Sequence, residues 1–267
     1  MQEFDSAEII KTIVLPKTIN ETSGLEFYNK NFITHNDSGD GPYLYVFNEN
    51  GDLIKTLDLN KDANFEIENN DWEDIASDEK YLYVADTGNN FGNRSNLNIV
   101  RISKEDNYKV DGIIKILYAD QETFFPRPKH KYDAEAILVI DEQLVLFSKD
   151  RENLNTDLYL VDKFEKAAQK LTSEFDFNVN SLITGGDYKN ELNLLALVSY
   201  NSKGNQYLIL FERFDLENLE ENTFKKYIIP LERAQIESIK IIDKKTFWVT
   251  SEDEGVGNPY MYKLKVK

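Results

Sequence analysis

Trp72-Glu73-Asp74-Ile75, running through a turn to Val84-Ala85-Asp86-Thr87, is one of five copies of a single design in this chain. The others are Thr22-Ser23-Gly24-Leu25 to Thr34-His35-Asn36-Asp37, and Ala134-Glu135-Ala136-Ile137 to Phe147-Ser148-Lys149-Asp150. Next come Ile183-Thr184-Gly185-Gly186 to Val198-Ser199-Tyr200-Asn201, and Ile236-Glu237-Ser238-Ile239 to Thr250-Ser251-Glu252-Asp253. Each copy is a short strand opened by Ser, Thr or Glu, then a turn, then a second strand with a polar end. Repeats of this length build propellers and other arrays.

Each unit reads as four strands. The first holds Ser23–Tyr28, Phe32–Asp37, Tyr43–Phe47 and Leu53–Leu59, with Asn50-Gly51 as a hairpin signal between the last two. The third is expected to place its outer strand at Lys170–Phe175, with one or two helical turns possible at Phe164–Leu171. The fifth stops after three strands, and Ile9–Leu15, ahead of the first unit, alternates apolar and polar residues. An N-terminal strand completing the last blade would close the ring and hide both open sheet edges. The 30 residues after Glu237 and the 22 before Ser23 then make one further period. The expectation is all-β: a single five-bladed β-propeller domain over residues 1–267, four antiparallel strands per blade, closed by its N-terminal strand.

Composition limits the function classes. No apolar run approaches the ~20 residues of a membrane span. Cysteine is absent, which excludes disulfides and thiolate chemistry. A net charge of −17 argues against nucleic-acid binding through a general basic face. No Gly-rich phosphate loop appears. A monomer is expected.

In a propeller the first strand of each blade lines the central channel. Ser23, Glu73, Glu135, Thr184 and Glu237 occupy equivalent positions there, so three carboxylates and two hydroxyls should converge. Ser181 competes with Thr184, because the fourth turn is longer. Like charges so close repel unless a cation joins them. Calcium takes 6–8 oxygen ligands and suits this set, so the ring reads as a Ca2+ site. Asn36-Asp37-Ser38-Gly39-Asp40-Gly41 begins like an EF-hand loop, but its twelfth position is Phe47 rather than Glu. It reads instead as the turn that brings Asp37 to the channel mouth.

The polar ends of the second strands should open on the same face. They supply His35, Asn36, Asp37, Asp86, Lys149 and Glu252, and neighbouring loops add Arg94, His130 and Arg151. Both histidines of the chain thus map to one mouth, with a local cationic cluster that suits an anionic small molecule. Asp37 or Glu252 is the candidate base, His35 or His130 the candidate acid. Asn36, Asp86, Arg94, Lys149 and Arg151 are the candidate ligand-binding residues.

At these residues the chain resembles the calcium-activated nucleotidases, or soluble apyrases. That family's ligand order of Ser, Glu, Glu, Ser, Glu is met here by Ser23, Glu73, Glu135, Thr184 and Glu237. Its acidic last-blade turn is similar to Ser251-Glu252-Asp253-Glu254, whereas Ser38 stands where the family carries Arg beside its first-blade acids. The strings His35-Asn36-Asp37-Ser38-Gly39 and Ala85-Asp86-Thr87-Gly88-Asn89-Asn90 resemble a group of bacterial secreted propellers more closely. The blade style is also similar to calcium lactonases and phytase-related propellers. These resemblances imply a secreted or periplasmic protein without fixing its activity. The first expectation is a calcium-dependent hydrolase acting on a phosphorylated or other anionic small molecule. A binding propeller with a structural calcium, and a lactonase or esterase, are the alternatives.

Overall fold

The computed structural model describes residues 4–61, 66–231, 234–252 and 257–267. Two strands open the chain, β1 (Asp5–Ser6) and β2 (Glu8–Val14). Blade 1 follows as β3 (Thr22–Tyr28), β4 (Asn31–Asn36), β5 (Tyr43–Phe47) and β6 (Leu53–Asp58). Blade 2 is β7 (Asp74–Ser77), β8 (Tyr81–Asp86), β9 (Asn98–Ser103) and β10 (Lys109–Tyr118). Blade 3 begins with β11 (Ala134–Ile140), β12 (Gln143–Ser148) and β13 (Thr156–Asp162), followed by β14 (Gln169–Leu171) and β15 (Phe175–Phe177). Blade 4 is β16 (Leu182–Lys189), β17 (Leu194–Tyr200), β18 (Gln206–Glu212) and β19 (Lys225–Ile229). Blade 5 holds β20 (Ile236–Asp243), β21 (Thr246–Ser251) and β22 (Tyr260–Lys265). The fold is the five-bladed all-β propeller, and no described helix is long and apolar enough to cross a membrane.

Closure follows the sequence expectation. β2 lies antiparallel to β22 with Ile9 opposite Leu264 and Ile13 opposite Met261, as the outermost strand of blade 5. Ile13 and Leu15 enter the core between blades 5 and 1 beside Phe32, Phe47 and Trp248. The preceding β1 adds parallel to β19 as a fifth strand of blade 4. The chain end therefore bridges two blades.

Lys170–Phe175 is not one strand. β14 departs from blade 3 and pairs parallel with β10 on blade 2, while β15 completes blade 3 against β13. The polar break Thr172-Ser173-Glu174 separates them. Leu171 is buried between blades 2 and 3, and Phe177 between blades 3 and 4, so each half follows its own apolar anchor. Phe164–Leu171 forms no helix.

The cores lie between blades rather than at the axis. Five apolar clusters fill the five interfaces, each fed by alternate residues of facing sheets. The axis itself is tight and polar. A Cβ on Gly24 (φ +70°) would lie 2.7 Å from the amide nitrogen of Ile75, and one on Gly185 2.7 Å from the carbonyl of Glu237. Asp74, 1 % exposed, reaches across the axis. Its Oδ2 accepts from the amides of Ile137 (3.0 Å) and Gly186 (3.2 Å), and its Oδ1 from Ile75 (2.8 Å).

Two expectations follow. Removing residues 1–16 strips Ile13 and Leu15 from the core at ~1.5–3 kcal/mol each and bares two edges, lowering the melting temperature by roughly 10 °C and promoting aggregation. A monomeric truncate melting with the parent chain would rule the closure out as a stability element. Asp74→Ala leaves the Ile137 and Gly186 amides unpaired, a loss of about 1–3 kcal/mol for each group in denaturant unfolding.

Candidate functional site: the acidic channel mouth

The inner strands share a device at their starts. Register shifts fall between Ser23 and Glu26, Ala134 and Ala136, Ile183 and Gly185, and Ile236 and Ser238. Glu135, Thr184 and Glu237 are thus the extra residues of β-bulges, and Ser23 borders one. A bulge leaves its residue out of the ladder and re-aims the side chain. In blade 2 Glu73 sits one residue ahead of β7, its amide donating to the carbonyl of Ala85 at 2.9 Å.

The carboxylates gather closely. Oxygens of Asp37, Asp71 and Glu73 lie within 4.8 Å of one another, and so do those of Glu73, Asp133 and Glu135. Glu73 belongs to both groups and ties blade 1 to blade 3 through blade 2. Gly88 makes room for it, since a Cβ there would stand 2.0 Å from Glu73 Oε1 and 2.5 Å from Asp71 Oδ2. Asp37 Oδ1 is buried with no hydrogen-bond partner among the described residues. Glu237 accepts from the side-chain amide of Gln235, and its charge is felt at Asp37. Glu252 follows β21 at the same mouth, its amide donating to the Gln235 carbonyl at 3.3 Å. Asp253 and Glu254, the rest of that turn, lie outside the described residues.

Burial first, and mutual repulsion second, pushes these acids up. Asp37 rises to about 9, with Asp71, Glu135 and Glu237 as charged neighbours. Glu252 rises to about 8 through burial and then Asp37, and Glu73 and Glu237 stand well above the usual range. Glu135 rises less, to about 7, because Lys149 and Arg151 offset its burial.

The two hydroxyls of the expected ring face other partners. Ser23 Oγ donates to the carbonyl of Glu73, and Thr184 Oγ1 to that of Ile236 at 2.5 Å. Thr87 makes the same latch to Ala134 O at 2.7 Å. Each joins one blade to the next. Ser181 Oγ lies instead against Ser199 Oγ (2.9 Å) and Lys226 Nζ (2.8 Å).

The cations are engaged as well. Lys149 Nζ lies 2.9 Å from Glu135 Oε1, and Arg151 Nη2 2.8 Å from Asp133 Oδ2. Arg94 pairs with Asp86 at 2.8 Å and donates to the carbonyl of Gly88 at 2.6 Å. Asn36 binds Thr18 O (3.0 Å) and Asp40 Oδ2 (2.7 Å). These side chains build the loops, and the mouth as a whole is acidic.

Neither histidine has the setting of a general acid. His35 is fully buried edge-on to Trp72, and burial lowers its pKa to about 4, so the ring is neutral. His130 accepts from the Tyr132 amide at Nδ1 (3.1 Å) and lies 3.2 Å from Asn90 O at Nε2, which fixes the Nε2–H tautomer. Asp71 and Asp133 were not singled out from the sequence. The signal was there: Asp71-Trp72-Glu73 and Asp133-Ala134-Glu135 repeat one spacing in adjacent blades.

No family model matches the chain, and a search of the curated proteins found no match. Solved structures do match. An exo-β-1,3-galactanase from Clostridium thermocellum aligns at 13% identity and a TM-score of 0.60, over 96% of this chain and 63% of that one. A GH43 β-1,3-galactosidase solved with galactodeoxynojirimycin gives 12%, 0.55, 97% and 94%. A hypothetical protein from Leishmania major gives 10%, 0.52, 97% and 91%. At these identities the likeness is one of fold.

The raised acids set a pH dependence for the metal-free protein. Their unfolded values lie near the ordinary 3.8 of Asp and 4.5 of Glu, the folded ones near 9, 8 and 7 for Asp37, Glu252 and Glu135. Between these limits the native state binds more protons, so stability is greatest at the acid end and falls as pH rises through 7–9. In EDTA the melting temperature should be several degrees higher at pH 5 than at pH 8.5. A flat or rising profile would mean that these groups are ionised in the native protein.

Proposed function

We propose that this propeller binds a calcium ion at its acidic mouth and acts there as a hydrolase on a small anionic molecule. The observation that carries the reading is the sharing of Glu73 between two carboxylate groups drawn from three blades. Hard oxygen donors at such spacing suit calcium. The space left by Gly88 and the unpartnered Asp37 Oδ1 add support. Glu73, Glu135 and Glu237, with Asp71 and Asp133, would hold the ion, and Ser23 and Thr184 would add hydroxyl lone pairs while they latch the blades.

When bound, calcium supplies Lewis acidity toward an anionic oxygen. The chain's own residues do the rest. With the ion's charge drawing their raised pKa values down, Asp37 or Glu252 would take a proton at the mouth. Lys149 and Arg151 hold Glu135 and Asp133 in place, and His35 and His130 pack the wall. An anionic substrate is supported through the ion, because the neighbouring cations already have partners. The GH43 fold likeness, joined to closely set carboxylates, favours a second reading: a glycoside hydrolase in which two acids do the work without metal.

Calcium should raise the melting temperature reversibly, by the equivalent of about 2.7 kcal/mol at a hundredfold excess over Kd. Glu73→Gln should abolish that rise. Turnover of aryl phosphates, nucleotides, lactones and aryl glycosides, with calcium and with EDTA, sorts the readings. Calcium-dependent phosphate or lactone cleavage, lowered roughly 10²–10⁴-fold by Asp37→Asn, supports the first. Glycoside cleavage indifferent to EDTA supports the second. A melting curve indifferent to calcium, with full turnover in Asp37→Asn, removes the proposal.

A further inference from the structure

A further group of carboxylates lies on the outer half of blade 3. Oxygens of Asp150, Asp157 and Asp176 lie within 4.8 Å of one another. Strand register sets two of them together. Asp157 of β13 stands opposite Asp176 of β15 in the antiparallel ladder, so both side chains leave the same face of the sheet. Like charges directly opposite are destabilising. Asp150 closes the group from the turn between β12 and β13, its Oδ1 accepting from the amides of Glu152 (2.8 Å) and Asn153 (3.0 Å). Asp176 is exposed, and its Oδ1 accepts from Asn155 Nδ2 at 2.8 Å.

An acidic group alone does not make a site, but a separate observation points to an occupant. Asp157 is 3 % exposed, and its Oδ2 has no hydrogen-bond partner among the described residues. A buried acceptor left so costs about 1–3 kcal/mol, and more when it is charged. Lys131 lies 3.9 Å from the other oxygen, Oδ1, and is held closer by Asp120 at 3.0 Å. Tyr159, two residues further along the same face of β13, and Tyr118 of β10 also carry buried hydroxyls without a partner among the described residues. Their rings lie 5.1 Å apart in the seam between blades 2 and 3.

We propose that Asp150, Asp157 and Asp176 hold a calcium ion at the outer seam of blade 3. Three carboxylates with no thiolate or imidazole among them suit a hard cation. Two ligands are buried and one is exposed, so water completes the shell of about 6–8 oxygens from the Asp176 side. Magnesium demands a near-ideal octahedron, which a group set by strand register fits less well. The ion would fix the turn that carries Lys149 and Arg151, whose side chains hold Glu135 and Asp133 at the mouth. None of the three ligands belongs to the mouth, so either site can fill without the other.

The test is a calcium titration of the full chain, stripped with EDTA and dialysed, followed by residue-resolved amide NMR. Calcium should shift the amides of Asp150–Asp157 and Asp176 saturably, with a Kd of ~10⁻⁴–10⁻³ M, the range of weak extracellular calcium modules. Residue resolution separates these shifts from any at Asp37, Asp71 or Glu73. Asp176→Asn, a change at an exposed position, should weaken binding at blade 3 about tenfold or more, and it serves where Asp157→Asn fails to fold. Glu73→Gln should leave the blade 3 shifts in place. Shifts confined to the mouth, or lost from blade 3 in folded Glu73→Gln, would overturn the proposal. So would unchanged affinity in Asp176→Asn, tighter binding of magnesium than of calcium, or no saturation below about 10 mM, the mark of an adventitious ion only.

Discussion

The Asp74 carboxylate sits where inner strands of the propeller crowd together. From blade 2 it accepts amides of blades 3 and 4, besides that of its neighbour Ile75. A ring of sheets converging on an axis brings main chains too close for ordinary side chains. Gly24 and Gly185 answer that constraint by having none, and Asp74 answers it by giving buried amides an acceptor. Burial raises its pKa well above the usual carboxylate value despite these hydrogen bonds, so the staple is held against a desolvation cost. The apolar interfaces then supply bulk stability, and the hydroxyl latches of Ser23, Thr87 and Thr184 keep neighbouring blades in register.

Crowding at the axis also places the chemistry. Bulges displace Glu135, Thr184 and Glu237 from their ladders just where the strands reach the mouth. The result gathers like charges that an ordinary fold would keep apart. Lys149 and Arg151 relieve Glu135 and Asp133, while Asp37 and Glu73 have no cation within ion-pair distance among the described residues. Acids perturbed in this way occur both at functional sites and in structural networks of charge.

The blades and their closure were legible because period and alternation are one-dimensional. Ile9–Leu15 shows an alternating edge strand, and the blade count leaves one slot for it. The Ser, Glu, Glu, Thr, Glu positions were legible for the same reason. The partners that engage the mouth's charged side chains were not. Whether Arg94, Lys149 and Arg151 are free for a ligand depends on side-chain partners that only folding brings near: Asp86 for Arg94, Glu135 for Lys149 and Asp133 for Arg151. His130 likewise looks like an acid in sequence, and only its two main-chain neighbours show it as a packing residue. The split of Lys170–Phe175 escaped notice because Leu171 and Phe175 put an apolar anchor at each end of one short stretch, and which blade each joins is a tertiary choice.

One end of the channel crowds acids together and the other pairs them with lysines, and one short strand connects the two. Glu73, just ahead of β7, faces the acidic end, and Asp78, just after it, anchors Lys163 and Lys104 at the other. Between them Asp74 pins β7 to two further blades. Side chains carried by so rigidly held a strand are pre-organised, which favours sites that are formed before a ligand arrives. The same pinning argues against β7 as a moving part between the two ends, because any slide would break the Ile137 and Gly186 hydrogen bonds together. The two ends are therefore parts of one fixed scaffold, and a ligand at either would respond to the charges of that end alone.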